Sequence, residues 1–116
     1  MPACPLPADE ALRQRTLDDM DLVDTPAEHY LDTLVRLTQE LAQVETVLIS
    51  LIDQDRQWFK ARIGIEVSET KRNVSFCGYA ILGEDTLMVS DARCDSRFED
   101  NPLVLNPPYI LSLIHI

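Results

Sequence analysis

The spacing of apolar positions changes several times along the chain, and each change marks an element. From Asp9 to about Met20 the run is helix-friendly and mostly polar, with Leu12, Leu17 and Met20 as its main apolar contacts. Further on, Leu31, Leu34, Val35, Thr38, Leu41 and Ala42 recur at helical spacing and give an apolar stripe. Ahead of that stripe stands Thr25-Pro26-Ala27-Glu28, which offers a capping hydroxyl, a proline at the first helical position and a glutamate three residues after the cap. The pattern predicts a capping box that contributes about 1 kcal/mol. It predicts a helix over roughly 26–43.

The period then drops to two. Val47-Leu48-Ile49-Ser50-Leu51-Ile52 is apolar on both alternating faces, which predicts an inner strand covered on both sides. Asp53-Gln54-Asp55-Arg56 supplies turn chemistry. In Trp58-Phe59-Lys60-Ala61-Arg62-Ile63-Gly64, Phe59, Ala61 and Ile63 share one face and Trp58, Lys60 and Arg62 the other. The two runs therefore read as an antiparallel hairpin, with Arg56 pinned to Asp53 or Asp55 and Trp58 covering sheet surface. Residues 65–74 are polar and without a period, so they read as a loop.

Phe76 to Leu82 reads as a short helix capped by Ser75, and Thr86 to Ser90 as a third strand. Asp91 to Asn101 reads as a loop with one helical turn, closed by Pro102 and then by Pro107-Pro108. Tyr109 to Ile116 is apolar and strand-like, while the three prolines of residues 1–7 predict a disordered lead-in, taken as 1–8. Helix, helix, hairpin, short helix, strand and strand make an α+β order, an antiparallel sheet with helices segregated around it.

Composition narrows the class. The chain has 116 residues, enough for one domain, and 46% are apolar, enough for a packed core. Twenty Asp and Glu against ten Lys and Arg leave a formal charge of −10, which repels phosphate backbones and anionic lipid heads. Neither nucleic acid nor a membrane surface is an expected partner. No run approaches the ~18 apolar residues of a membrane span, and Met1 to Pro7 has no signal-peptide character. Cys4, Cys77 and Cys94 are odd in number and irregular in spacing, which points away from a disulfide framework and toward a reducing cytoplasm.

Four stretches, in this order, resemble the GAF family as found at the front of bacterial histidine kinases and diguanylate cyclases. They are Leu22-Val23-Asp24-Thr25-Pro26-Ala27-Glu28; Ser50-Leu51-Ile52-Asp53 with Arg56-Gln57-Trp58-Phe59-Lys60; Glu69-Thr70, Ser75-Phe76-Cys77 and Ala80-Ile81; and Val89-Ser90-Asp91-Ala92, Asp95, Arg97-Phe98 and Asn101-Pro102. The resemblance covers about residues 10–109 and implies a GAF/PAS-like (profilin-like) sheet over a domain spanning 9–110. Two positions depart from the family. Tyr79 stands where the family usually has histidine, which removes a group able to ligate metal or haem. After Pro107-Pro108-Tyr109-Ile110 the family continues into further strands and a closing helix, so the fold is expected to be incomplete at its C-terminus. Residues 111–116 are read as a non-native tail.

The resemblance also implies a ligand cavity between one sheet face and its covering loops, here residues 65–82 and 91–106. Ser75, Phe76, Cys77, Tyr79, Asp91, Arg97 and Phe98 are the residues it places there. On the residues alone, Phe76 and Phe98 also serve as core, and Asp91 and Asp95 as turn caps. Cys77 reads either as a small buried hydrophobe or as a thiol made reactive by the dipole at a helix start, with Cys94 as a second thiol in the other covering loop. Asp53, Asp55, Asp91 and Asp95 fall on different loops, so no metal or cofactor is assigned to them. The expected function is a non-catalytic sensory module that binds a small molecule or relays a signal to a C-terminal output domain, with a homodimer implied by the family. Two alternatives are a thiol redox enzyme acting through Cys77 and a ligand-free dimerisation unit.

Overall fold

The computed structural model describes residues 4–115. Two helices lead, α1 (Glu10–Met20) and α2 (His29–Ala42), followed by the hairpin of β1 (Val47–Asp53) and β2 (Arg56–Ile63). After these come β3 (Glu69–Lys71), α3 (Phe76–Ala80), β4 (Leu87–Val89), α4 (Pro102–Leu105) and β5 (Leu113–His115). Antiparallel strands form one sheet in the order β1-β2-β3 and a second from β4 and β5. This is the α+β architecture that the element order predicts.

The hairpin closes where the turn residues stand. Gln54 takes a left-handed φ of 53° between the strands. Arg56 donates to Asp53 Oδ2 at 3.1 Å, as read, and also reaches across to Asp24 Oδ2 at 2.6 Å. A bulge at Ile49/Ser50 shifts the register, so that Ser50 faces Phe59 and Leu51 faces Trp58. Cross-strand partners share a sheet face. Ser50 and Phe59 therefore lie on the side of α3, while Lys60, on the other, reaches the chain entering α2.

One expectation about β1 is corrected. It lies at the outer edge of its sheet, and β2 is the middle strand. An apolar alternation on both faces records that both faces are covered, here by α2 and α3. It carries no information about neighbours along the hydrogen-bonding direction.

The capping box is also corrected. Helix α2 starts at His29, three residues later than predicted, and no side chain caps it. Thr25 Oγ1 instead donates to the Leu22 carbonyl at 2.5 Å and accepts from Lys60 Nζ at 2.6 Å. Lys60, 5% exposed on the middle strand, also donates to the Pro26 carbonyl at 2.6 Å and pairs with Glu28 at 3.1 Å. A buried ammonium has to be surrounded by oxygens, and charge-assisted bonds prevail over a neutral cap. The apolar stripe splits as well. Val35 is buried and Leu31 and Thr38 half-buried, whereas Leu34 and Leu41 stand exposed with Tyr30 and Leu37.

Two further elements lie where the sequence predicts loop. Glu69–Lys71 pairs with Arg56–Trp58 as β3, fixed at its end by the Arg72 N–H on the Asp55 carbonyl at 2.8 Å. Pro102–Leu105 forms α4, with Pro102 in the first turn and the buried Asn101 side chain accepting from the Leu103 N–H at 2.8 Å. Asn101 also donates to the Val74 carbonyl at 3.0 Å, which ties α4 to the chain before α3. Phe76, Val89, Ala92, Phe98 and Val104 make the core of this half, with Tyr79, Leu103, Ile110 and Leu113 packed against it. Of the predicted tail, Leu113–His115 lies along β4, and the Ala92 N–H donates to the Leu111 carbonyl at 2.6 Å. Residues 1–3 and 116 lie outside the described residues. Cys4, from the predicted lead-in, is buried, and a side chain at Gly78 would stand 2.9 Å from its sulfur.

Candidate functional site

Between α1, the free edge of β1 and α3 runs an open groove of about 440 Å³. Its α1 wall carries Leu12, Arg13, Thr16, Leu17 and Met20, its β1 wall Ser50, Leu51 and Ile52, and Cys77, Ile81 and His115 close it. Aliphatic side chains with a few polar groups are the usual lining of a small-molecule site.

Cys77 enters this groove because Ser75 stops the chain ahead of it. Ser75 is fully buried, and its Oγ donates to the Arg72 carbonyl at 2.8 Å and accepts from the Gly78 N–H at 3.0 Å. That is the cap predicted for the short helix, and it sets the direction of α3. The Cys77 sulfur then lies 3.0 Å from Ser50 Oγ on β1. Burial pushes the Cys77 thiol pKa up, and the Ser50 bond only partly opposes it. Of the two readings weighed for Cys77, the small buried hydrophobe has more support than the dipole-lowered thiol: a helix of five residues aligns few peptide dipoles, and desolvation works against the thiolate.

Of the seven residues placed near a cavity by resemblance, Cys77 lines this groove. The other six are not among the residues that line it. Phe76 and Phe98 meet ring to ring at 4.6 Å, and Tyr79 meets Phe98 edge-on at 5.1 Å, so the three aromatics form one packed cluster. The Arg97 guanidinium sits 5.0 Å from the Phe98 ring centre and forms an ion pair with Asp95 at 2.7 Å. That bond holds the Asp95 carboxyl below its ordinary range. Asp91 accepts from the Arg93 N–H at 3.0 Å and pairs with the Arg93 guanidinium at 2.8 Å, which depresses its carboxyl likewise. Both aspartates are turn caps with an arginine two residues on.

Sequence reasoning missed the α1 side of the site. Leu12, Leu17 and Met20, legible as the main apolar positions of the first helix, line the groove opposite β1, with Leu17 buried and Leu12 and Met20 exposed. Ser50 was legible as the lone hydroxyl in an apolar strand. Among the described residues, no three His, Cys, Asp or Glu side chains gather to hold a metal ion, and no helix is long and apolar enough to cross a membrane.

Comparison with known proteins adds two findings. The family model of the GAF domain matches residues 26–116. A cyclic di-GMP phosphodiesterase of Pseudomonas aeruginosa is 41% identical over 106 residues, which is 91% of this chain and 18% of that protein. The chain thus spans less than a fifth of this relative's length.

Proposed function

The chain belongs to the GAF domain family, a family of regulatory domains in signalling, and from that premise we propose that it is the sensory module of a cyclic-dinucleotide signalling protein. The observation that carries this reading is the alignment: nearly the whole chain corresponds to a small part of a phosphodiesterase. A module of that share governs chemistry done elsewhere in the protein. The reading assigns it a C-terminal output domain that makes or breaks a cyclic dinucleotide, in place of the kinase alternative. Its three free thiols suit the cytoplasm.

In this reading the small-molecule ligand lies in the groove, against Leu17, Leu51 and Ile81, with Ser50 and Cys77 as its polar end. Phe76, Tyr79 and Phe98 support α3 from behind, and Ser75 orients it; Asp91 and Arg97 shape the covering turns. A ligand signals by discriminating between two conformations, and a groove walled by two separate elements gives it a distance to act on. The redox-enzyme alternative has less support, because burial pushes the Cys77 thiol pKa up, away from the thiolate that such chemistry needs.

A dimerisation role is favoured by a separate observation. Tyr30, Leu34, Leu37 and Leu41 are spaced by four, three and four residues along the exposed side of α2, and Leu41 is 87% exposed. That is the spacing of a helix-pairing seam, over two heptads.

A metabolite screen by melting temperature tests the ligand reading. A ligand of the groove raises the melting temperature of the natural chain and leaves Thr16→Trp unchanged, since an indole at that exposed groove position takes the ligand's place. A screen in which every shift survives Thr16→Trp overturns the assignment.

A further inference from the structure

We propose that α1, together with the chain from Cys4 to Asp9, is a detachable strap, fastened to the sheet by a polar clasp and released as a unit. Over eleven residues α1 buries only Gln14 and Leu17, while Leu12 and Met20 stand exposed. Its attachment is concentrated in its first turn and a half. Arg72, buried beside the hairpin, donates to the Glu10 carboxylate at 2.5 and 3.1 Å. Arg13 donates to the same carboxylate at 2.9 and 2.8 Å and to the Ile52 carbonyl at 2.6 Å. Gln14 donates to Asp53 Oδ1 at 2.6 Å and accepts from the Gln54 N–H at 2.9 Å.

Polar fastening differs from apolar packing in what replaces it. When the helix lifts, water takes over each of these bonds, so their net hold is a fraction of their gross strength. Arg72 keeps one protein partner after release, the Gln54 carbonyl at 2.9 Å. Its Nε has no partner while the strap is closed and gains one from water when it opens. The strap therefore opens at a lower free energy than the hairpin beneath it unfolds, as a cooperative segment with few buried contacts.

Two thiols report the motion. Cys4 travels with the strap and sits over Gly78, while Cys77 lines the groove whose wall α1 supplies. Opening uncovers both, and Cys94, already exposed, is indifferent. The inference rests on the packing of α1 and not on the ligand reading, so either can fail without the other.

Native-state hydrogen exchange on the full chain, joined to alkylation by iodoacetamide, tests it. The α1 amides exchange together and well before those of β1 and β2. In Glu10→Gln the Cys4 and Cys77 rates rise together by about tenfold or more, as charge-assisted bonds to Arg13 and Arg72 are lost, while Cys94 is unmoved. Exchange of α1 only in step with β1 and β2 in the natural chain overturns the proposal, and this arm needs no variant to fold. Unchanged Cys4 and Cys77 rates in a folded Glu10→Gln overturn it too.

Discussion

Ser50 Oγ on β1 and the Cys77 sulfur on α3 lie 3.0 Å apart and join the open edge of the sheet to the short helix that covers it. Burial at this junction pushes the Cys77 thiol pKa up, and the bond to Ser50 only partly opposes it. Desolvation is the largest influence on that thiol. Alkylation of the natural chain near neutral pH is expected to modify exposed Cys94 first and Cys77 much later. Cys77→Ser should change unfolding stability by about 1 kcal/mol or less, since a hydroxyl keeps the bond to Ser50. Cys77 reacting ahead of Cys94 would restore the redox alternative.

Lys60 carries the second prediction. It is a buried cation that fastens Thr25, Pro26 and Glu28, the chain entering α2, to the middle strand. Lys60→Ala leaves the Thr25 and Pro26 oxygens without their donor and a gap under the linker. The expected loss is about 3 kcal/mol in urea unfolding. Lys60→Met fills the gap without supplying the charge and should recover part of that loss. Equal stability of all three proteins would show that the lysine is a passenger.

For the aromatic cluster, the contrast lies between neighbours. Phe98 is fully buried against Phe76 and Tyr79, and Phe98→Ala is expected to cost about 3–5 kcal/mol. Arg97, half-exposed on the outer side of that ring, loses a surface ion pair and some packing, so Arg97→Ala should cost about 1 kcal/mol or less. Denaturation of the two variants side by side checks the ratio, and similar losses would mean that Phe98 is not the centre of this core.

Acid should loosen α1 before it unfolds the sheet. Hydrogen bonds from Arg13 and Arg72 hold the Glu10 carboxyl at about 2, against an ordinary 4.5. A depressed acid contributes stability that is complete above its unfolded value and is lost as pH falls through its folded one. The Glu10 contribution is therefore constant from neutrality to about 4.5 and fades between about 4.5 and about 2. Melting curves of the natural chain and Glu10→Gln should differ by a fixed amount above that window and converge within it. A gap that is the same at both ends of the window would contradict the assignment.

What was legible in the sequence follows the range of the forces involved. The β1–β2 hairpin and the Ser75 cap are local: alternation, turn residues and a hydroxyl three residues from its N–H suffice to place them. Thr25 had the same local signature, but a lysine thirty-five residues away on β2 claimed its hydroxyl, and no window around Thr25 shows that. The strand at Glu69–Lys71 is polar and three residues long, paired because Arg72 anchors its end. Helix α4 was within reach, since Asn101-Pro102 is a capping residue followed by a first-turn proline. For the site, resemblance pointed to the covering loops, where the aromatics proved to pack on one another. The groove lies one step away, on the wall that α1 supplies, and only the fold brings Leu17 and Leu51 to it.

The central claim is that this domain governs an activity housed elsewhere, and a chimera tests it most directly. Cyclic di-GMP hydrolysis would be measured for the Pseudomonas aeruginosa phosphodiesterase in three forms: natural, with its matched region deleted, and with that region replaced by residues 10–115 of this chain. The account predicts that the chimera hydrolyses at a rate near the natural enzyme's and distinct from that of the deletion. Equal rates in the chimera and the deletion, both far from the natural enzyme, would contradict it.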